Sequence, residues 1–384
     1  MATTPYTEQL QGRNIRLLRI LPGDPESTIE VELIEASLDD LPQYEALSYV
    51  WGDAEITQQI VCNGRPFQIT INLTKALRRL RSRSRTTLSE HQPSTPSSLL
   101  WVDAICIDQS CLPERNHQVS LMKEIYSKAQ RVYVWLGDQD SNEQDEAIAV
   151  AAIQLLCSDD SILSEEFRSV SAQDFEQMAI QRGLIDSVSS LWVCLHALFT
   201  SRWYSRVWCV QELALACEAT FLFIKSEMTG AYMTLFSMWC VTQYTVFQKS
   251  PSSRPGPSLV TYENLPRVFS AIRGARLQKE PLQVLHRYSG QEAKDPRDNI
   301  YGLCGLMEPA IFPIDYTLST TGVYTHTVLQ LIVHMQNLSV LSYIDHDSQF
   351  QASSQFPSWI YVLAESLPNR QKLDWSRTAI YARR

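Results

Sequence analysis

Glu212 is the residue whose setting most suggests chemistry. It lies in the run Ser201–Ala216, which holds two tryptophans, two arginines and no Gly or Pro. Read as one helix at about 100° per residue, the run has two apolar stripes. Trp203, Val207, Val210 and Ala214 form the first, and Tyr204, Trp208 and Leu215 the second. Glu212 falls on neither. It shares a narrow strip with Ser205, Cys209 and Ala216, with Trp208 one turn back, so the acid occupies a shallow groove walled by an indole. A carboxylate held partly away from water needs partners, or its protonated form is favoured. Such a group can stabilise cationic charge at a glycosidic centre. The alternative is an ion pair with Arg202, Arg206 or a more distant cation, since structural pairs also perturb carboxylates.

Other reactive side chains cluster where strands should end. Leu99–Ile107 is apolar nearly throughout and reads as a central strand covered on both faces. Asp103 breaks it, as a structural hydrogen-bond hub or as part of a site. Asp108 and Gln109 leave the end of that strand, and Arg115 lies in the first turn of a helix from Pro113-Glu114 to about Ala129. Trp51, Gly52 and Asp53 form a loop after the strand that begins at Tyr44, and Gly52 permits a sharp turn. Cys106, Cys111 and His117 are close in sequence but lack a fourth ligand at metal-like spacing, which argues against zinc.

The elements that must position these groups alternate. From Tyr44 the order is strand, helix, strand, helix, strand, helix, strand, with strands near Tyr44–Val50, Leu99–Ile107, Arg131–Gly137 and Ala219–Lys225. This predicts an α/β fold, a parallel sheet with helices on both faces and ligands beyond its carboxyl edge. Asn14–Pro22 and Thr28–Leu38 read as an N-terminal β-hairpin on the edge of that domain. Gln59–Ile71 reads as a ribbon turning at Asn63-Gly64, followed by a helix capped by Asn72. The basic run Arg78–Arg85 reads as a solvated helix end beside the polar loop Ser84–Ser98, and Ser158–Val188 as an insertion.

The chain has 384 residues, 45% hydrophobic and 20% charged, with a formal charge of −9. That length accommodates two domains, and the acidic balance argues against nucleic acid as a partner. Nine cysteines without a framework fit reduced thiols in a cytoplasmic protein. No signal peptide or membrane-length apolar run is read. No dinucleotide, Walker or nucleophile-elbow motif occurs, which argues against a dehydrogenase, an NTPase or a common hydrolase. The expected division is 1–43 as a hairpin extension, 44–225 as the α/β domain, 226–258 as a connecting segment with a Pro-rich linker, and 259–384 as a mostly helical region. Trp375–Arg384 shows no packing pattern, as expected of a truncated member of a longer class.

Tyr44-Glu-Ala-Leu-Ser-Tyr-Val-Trp-Gly52, Trp101-Val-Asp-Ala-Ile-Cys-Ile-Asp-Gln109, Glu114-Arg115 with Gln118, Met122 and Ile125-Tyr126, and Arg206-Val-Trp-Cys-Val-Gln-Glu212 resemble the successive motifs of the fungal heterokaryon incompatibility (HET) domain. Asp295-Pro-Arg-Asp298, Tyr301-Gly-Leu and Pro357-Ser-Trp359 resemble the region that follows it. Asp108 stands where Asn is common, and Ile360-Tyr361 where Val-Pro is frequent. The resemblance implies a cytoplasmic protein of non-self recognition that triggers programmed cell death when incompatible strains fuse.

Trp208-Cys-Val-Gln-Glu-Leu213 and the order of elements are also similar to the Toll/interleukin-receptor (TIR) domain, some members of which cleave NAD with the glutamate of that motif. By this likeness Glu212 is the candidate catalytic residue and NAD the candidate substrate, with no resident cofactor or metal. Trp51 or Trp208 would stack on a ring, Gly52 would let the backbone approach, and Arg115 would meet pyrophosphate. The competing reading is a non-catalytic module of homotypic assembly, with Asp103, Arg115 and Glu212 in one buried polar network. Its partner would be a second copy or an incompatible allelic protein, with no nucleic acid and no membrane.

Overall fold

In the computed structural model, residues 5–86, 99–137, 143–157, 170–249 and 279–343 are described. The linker expected after 249, Pro357–Trp359 and Trp375–Arg384 lie outside them.

The N-terminal strands β1 (Asn14–Ile20) and β2 (Glu30–Ser37) pair antiparallel, Asn14 opposite Ser37. β3 (Tyr44–Ser48) is followed by the antiparallel ribbon of β4 (Thr57–Cys62) and β5 (Arg65–Thr70). Its turn places Asn63 and Gly64 at φ of 51° and 73°, the left-handed pair that a two-residue hairpin requires. Helix α1 (Ile71–Thr86) leads towards β6 (Leu99–Trp101), the short α2 (Asp103–Cys106) and α3 (Leu112–Lys128). β7 (Val132–Trp135), α4 (Glu143–Cys157), α5 (Ala172–Gln181) and α6 (Val188–Leu198) come next. A 3-10 turn at Arg202–Ser205, then α7 (Val207–Ala214), β8 (Ala219–Leu222), β9 (Glu227–Thr229) and α8 (Gly230–Lys249) close this part. Beyond residue 279 lie α9 (Pro281–Arg287), α10 (Asp298–Tyr301) and α11 (Thr320–Met335).

The strands form one mixed sheet in the order β5-β4-β2-β1-β6-β3-β7-β8-β9. Its centre is parallel: β6, β3, β7 and β8 run the same way. The hairpin extends this set through the antiparallel β1–β6 pair, and the β4–β5 ribbon continues it through the parallel β2–β4 pair. The central strands are buried apolar runs; all four residues of β7 are buried, as a sheet covered on both faces requires. Helices α4, α6 and α8 pack together over aromatic side chains, with the Phe199 and Phe236 rings stacked at 5.8 Å.

Three local expectations are corrected. The apolar run Leu99–Ile107 is not one strand: pairing stops at Trp101, and Asp103 opens the helical turn α2. Asp103 therefore sits at the strand's carboxyl end, not in its middle. Asn72 does not cap α1, which starts at Ile71. Thr70 takes the cap position, its Oγ1 accepting from Leu73 N at 3.4 Å. The Asn72 amide instead donates to Val50 O at 2.6 Å and accepts from Trp135 Nε1 at 2.8 Å, tying the ends of β3 and β7 together. The basic run of α1 is not a solvated end. Arg81, 4% exposed, donates to the carbonyls of Asp24, Pro25, Ser27 and Thr28, and Arg83 pairs with Glu227 at 2.9 Å. Carbonyls gathered by the hairpin loop draw in the guanidinium, whose five N–H donors can serve several acceptors at once.

Candidate functional site: a buried acid network at the strand ends

β3 ends on Ser48, whose Oγ donates to Glu212 Oε2 and accepts from Trp203 Nε1 at 2.8 Å. Glu212 is thus held against the carboxyl edge of the sheet. It is 3% exposed. Burial raises its pKa from 4.5 to about 7; Arg206 opposes that rise, Asp103 adds to it, and the Ser48 and Cys209 side chains oppose it. Asp103 lies at the end of the neighbouring strand. Its Oδ2 accepts from Trp51 Nε1 at 2.8 Å and its Oδ1 from Ala104 N at 2.7 Å. The residue keeps partial exposure, yet enclosure of its carboxyl group raises its pKa against the pull of Arg206.

Arg206 is the cation of this network. Its Nη1 donates to Tyr49 O. Burial works against its charge, but Cys209, Glu212 and Asp103 outweigh that and keep it protonated. Among the described residues, no carboxylate oxygen comes within ion-pairing distance of it. The Tyr49 hydroxyl faces Asp103 without reaching hydrogen-bond geometry. Two carboxyls share one guanidinium, so one positive charge cannot satisfy both, and the more deeply buried acid retains its proton to near neutral pH.

The helix carrying Glu212 also departs from expectation. Ser201–Ala216 is not continuous: the 3-10 turn ends at Ser205, Arg206 is extended (φ −71°, ψ 132°), and α7 starts at Val207. The cause is tertiary. Glu292 pairs beside Arg206, its N–H donating to Ser205 O at 2.6 Å and its carbonyl accepting from Val207 N at 3.0 Å.

The structure brings together Trp51, Asp103 and Glu212, with Gln109 donating to Asp103 O at 2.9 Å. Gly52 (φ 81°) makes the turn after Trp51, and Asp53 caps the next turn through Glu55 N at 2.9 Å, facing solvent. Asp108 accepts from Ser110 Oγ at 2.6 Å. Arg115 and Trp208 belong to a second cluster. The Arg115 guanidinium lies 3.8 Å from the Tyr316 ring centre, and Tyr316 Oη donates to Asp298 Oδ1 at 2.5 Å. Burial raises the pKa of Asp298, and hydrogen bonds from Tyr316 and Trp208 oppose that rise.

The indole linked to Glu212 is therefore that of Trp203, through Ser48, while Trp208 lies against the C-terminal segment. Sequence reasoning missed Ser48, Tyr49 and Gln291. The signal for Ser48 was a small polar residue at the carboxyl end of β3.

The segment after residue 290 packs directly on α7. Gly305 N donates to Gln211 Oε1 at 2.8 Å. A Cβ on Gly302 would stand 2.9 Å from Asp298 O, 3.1 Å from Val207 Cγ1 and 3.3 Å from Trp208 Cδ2. Gly302→Ala is expected to destabilise the protein by about 1–3 kcal/mol through overpacking, read as a lower urea midpoint. A midpoint equal to the parent's would show that the α7 contact gives way freely.

The family model for "Heterokaryon incompatibility protein (HET)" matches residues 44–212. Residues 44–212 are a heterokaryon incompatibility domain. The domain thus opens on Tyr44, the first residue of β3, and closes on Glu212, the acid that β3 holds. A similar protein is "Heterokaryon incompatibility protein 6, OR allele" of Neurospora crassa, 29% identical over 380 residues. The match covers 85% of this chain and 54% of that protein, so the chain spans about half the length of the curated relative it matches. No solved structure matches the chain. β1, β2 and the segment from Gln291 to Gly305 lie outside the match, yet β1 and β2 stand inside the sheet between β4 and β6, and the later segment packs on α7.

Among the described residues, no group of three or more His, Cys, Asp or Glu is arranged for a metal ion, and no helix is long and apolar enough to cross a membrane.

Proposed function

We propose that this chain is a determinant of fungal non-self recognition, acting in the cytoplasm, whose incompatibility domain triggers programmed cell death after fusion of incompatible strains. The domain acts by assembly with a second copy or an incompatible allelic partner, and Glu212 serves there as a structural acid. The observation that carries this choice is the burial of Glu212, 3% exposed and committed to Ser48 beside Arg206. A carboxylate in that state offers no approach to a ribose.

One observation favours a second reading, cleavage of NAD at the nicotinamide–ribose bond. The four parallel strands in chain order are β3, β6, β7 and β8, and across the sheet they read second, first, third, fourth. That is the flavodoxin-like order, which TIR domains resemble and in which ligands sit beyond the strands' carboxyl ends. Glu212 reaches that edge, and enzymes tune a carboxyl towards neutrality for acid–base work. This reading requires the acid to become exposed on assembly.

The test is inducible expression in a fungal host of the parent and of Glu212→Gln, following viability and cellular NAD together. Assembly predicts killing by both with NAD unchanged. Killing with NAD depletion by the parent, and loss of both in Glu212→Gln, would overturn it in favour of the enzyme.

A further inference from the structure

The charge network depends on a residue outside the incompatibility domain. In a continuous helix, Arg206 and Glu212 would lie roughly 120° apart around the axis, six residues at about 100° each. Their side chains would leave by different faces. The extended residue at Arg206 removes that constraint and lets the guanidinium meet Tyr49 O while interacting with both acids. No side chain caps α7 at this point.

What holds the break is the strand-like segment at 291–292. Besides the Glu292 bridge, Gln291 Nε2 donates to Tyr204 O at 3.0 Å and to Arg206 O at 3.3 Å. Gln291 is 4% exposed. Those two carbonyls flank the break; without a donor they would favour rejoining the helix or reaching for water.

We infer that Gln291 is a positioning residue. Its amide keeps the chain extended at Arg206 and so keeps that guanidinium facing Asp103 and Glu212. The working unit of this protein therefore runs past Glu212 to include the segment at Gln291. This rests on the geometry of the network and is independent of what the network does. A chain that neither kills nor consumes NAD leaves it standing.

The experiment compares the full chain with Gln291→Leu, each with and without Glu212→Gln. Thermal midpoints are measured from pH 5 to 9. The difference between each protein and its E212Q counterpart reports the ionisation of Glu212 together with its coupling to Asp103. The groups around that carboxyl are Arg206 and Cys209 from its own stretch, Ser48 and Tyr49 from the end of β3, Asp103 from α2 and Tyr126 from α3.

In the parent the difference turns near pH 7. In Gln291→Leu it should turn about one pH unit higher, because a displaced cation no longer favours the charged acid. Gln211→Leu removes another contact to the same segment without touching Arg206, and its turning point should match the parent's. A folded Gln291→Leu that turns where the parent does overturns the inference. Should that variant not fold, Gln291→Asn withdraws the amide by one methylene and is read the same way, with a smaller upward shift.

Discussion

Glu114→Ala is expected to lower stability by about 3–5 kcal/mol, the usual cost of orphaning a buried charge. Glu114 Oε1 lies 2.6 Å from Arg16 Nη1, and the two side chains are 1% and 3% exposed. The acid also accepts from Asp108 N at 2.8 Å and Leu10 N at 3.2 Å, while Arg16 donates to Cys106 O at 3.2 Å and Glu8 O at 2.7 Å. One pair thus joins β1, α3, the loop after α2 and the chain before β1. Removing either partner leaves an unpaired charge and several backbone groups without partners. Replacing both with apolar residues should recover only part of the loss, because those backbone groups stay unpaired. Urea unfolding of the two single variants and the double variant measures this. A loss below about 1 kcal/mol in Glu114→Ala would mean that water reaches the pair.

Glu212→Gln is expected to gain stability over the parent as pH rises from 5 to 8. The acid's pKa is raised on folding from 4.5 to about 7, so the folded chain holds this proton more tightly than the unfolded chain. The resulting stabilisation is complete below about pH 4.5 and is lost as pH rises through 7. Above that, the folded protein carries a buried negative charge at a cost on the order of 3 kcal/mol. Gln is nearly isosteric and always neutral, and Ser48 can still donate to its oxygen. The Asp103 carboxyl group is enclosed in both proteins, so the difference between them reports the ionisation of Glu212 together with its coupling to Asp103. Urea midpoints at pH 5 and pH 8 measure it. A difference that stays flat with pH would show that Glu212 ionises as freely as in the unfolded chain.

Burial and exposure divide the candidate site. The loop residues Gly52 and Asp53 reach solvent, whereas the acid they were expected to serve lies beneath Ser48 and Trp203.

The alternation of apolar strands and helices specified the α/β class, because a chain that buries both faces of a parallel sheet must cover them with crossover helices. The Asn63-Gly64 turn and the ribbon around it were equally legible, since only residues tolerant of positive φ make that turn. Glu212 stood out because a carboxylate on a mostly apolar run must be paired or protonated.

Local sequence did not determine where elements stop. Propensity alone carries the helix through Arg206 and the strand through Asp103. In the folded chain a backbone pair with Glu292, 86 positions later, breaks the first, and the second gives way to α2 where ladder pairing ends at Trp101. Backbone hydrogen bonds must be satisfied over the whole molecule, so a distant segment can override a local preference worth a fraction of a kcal/mol per residue. For the same reason the sequence named the acid and offered Arg206 among its possible cations, and only the tertiary structure supplied the serine that donates to it and the helix break, bound by a glutamine from outside the domain, at which Arg206 sits.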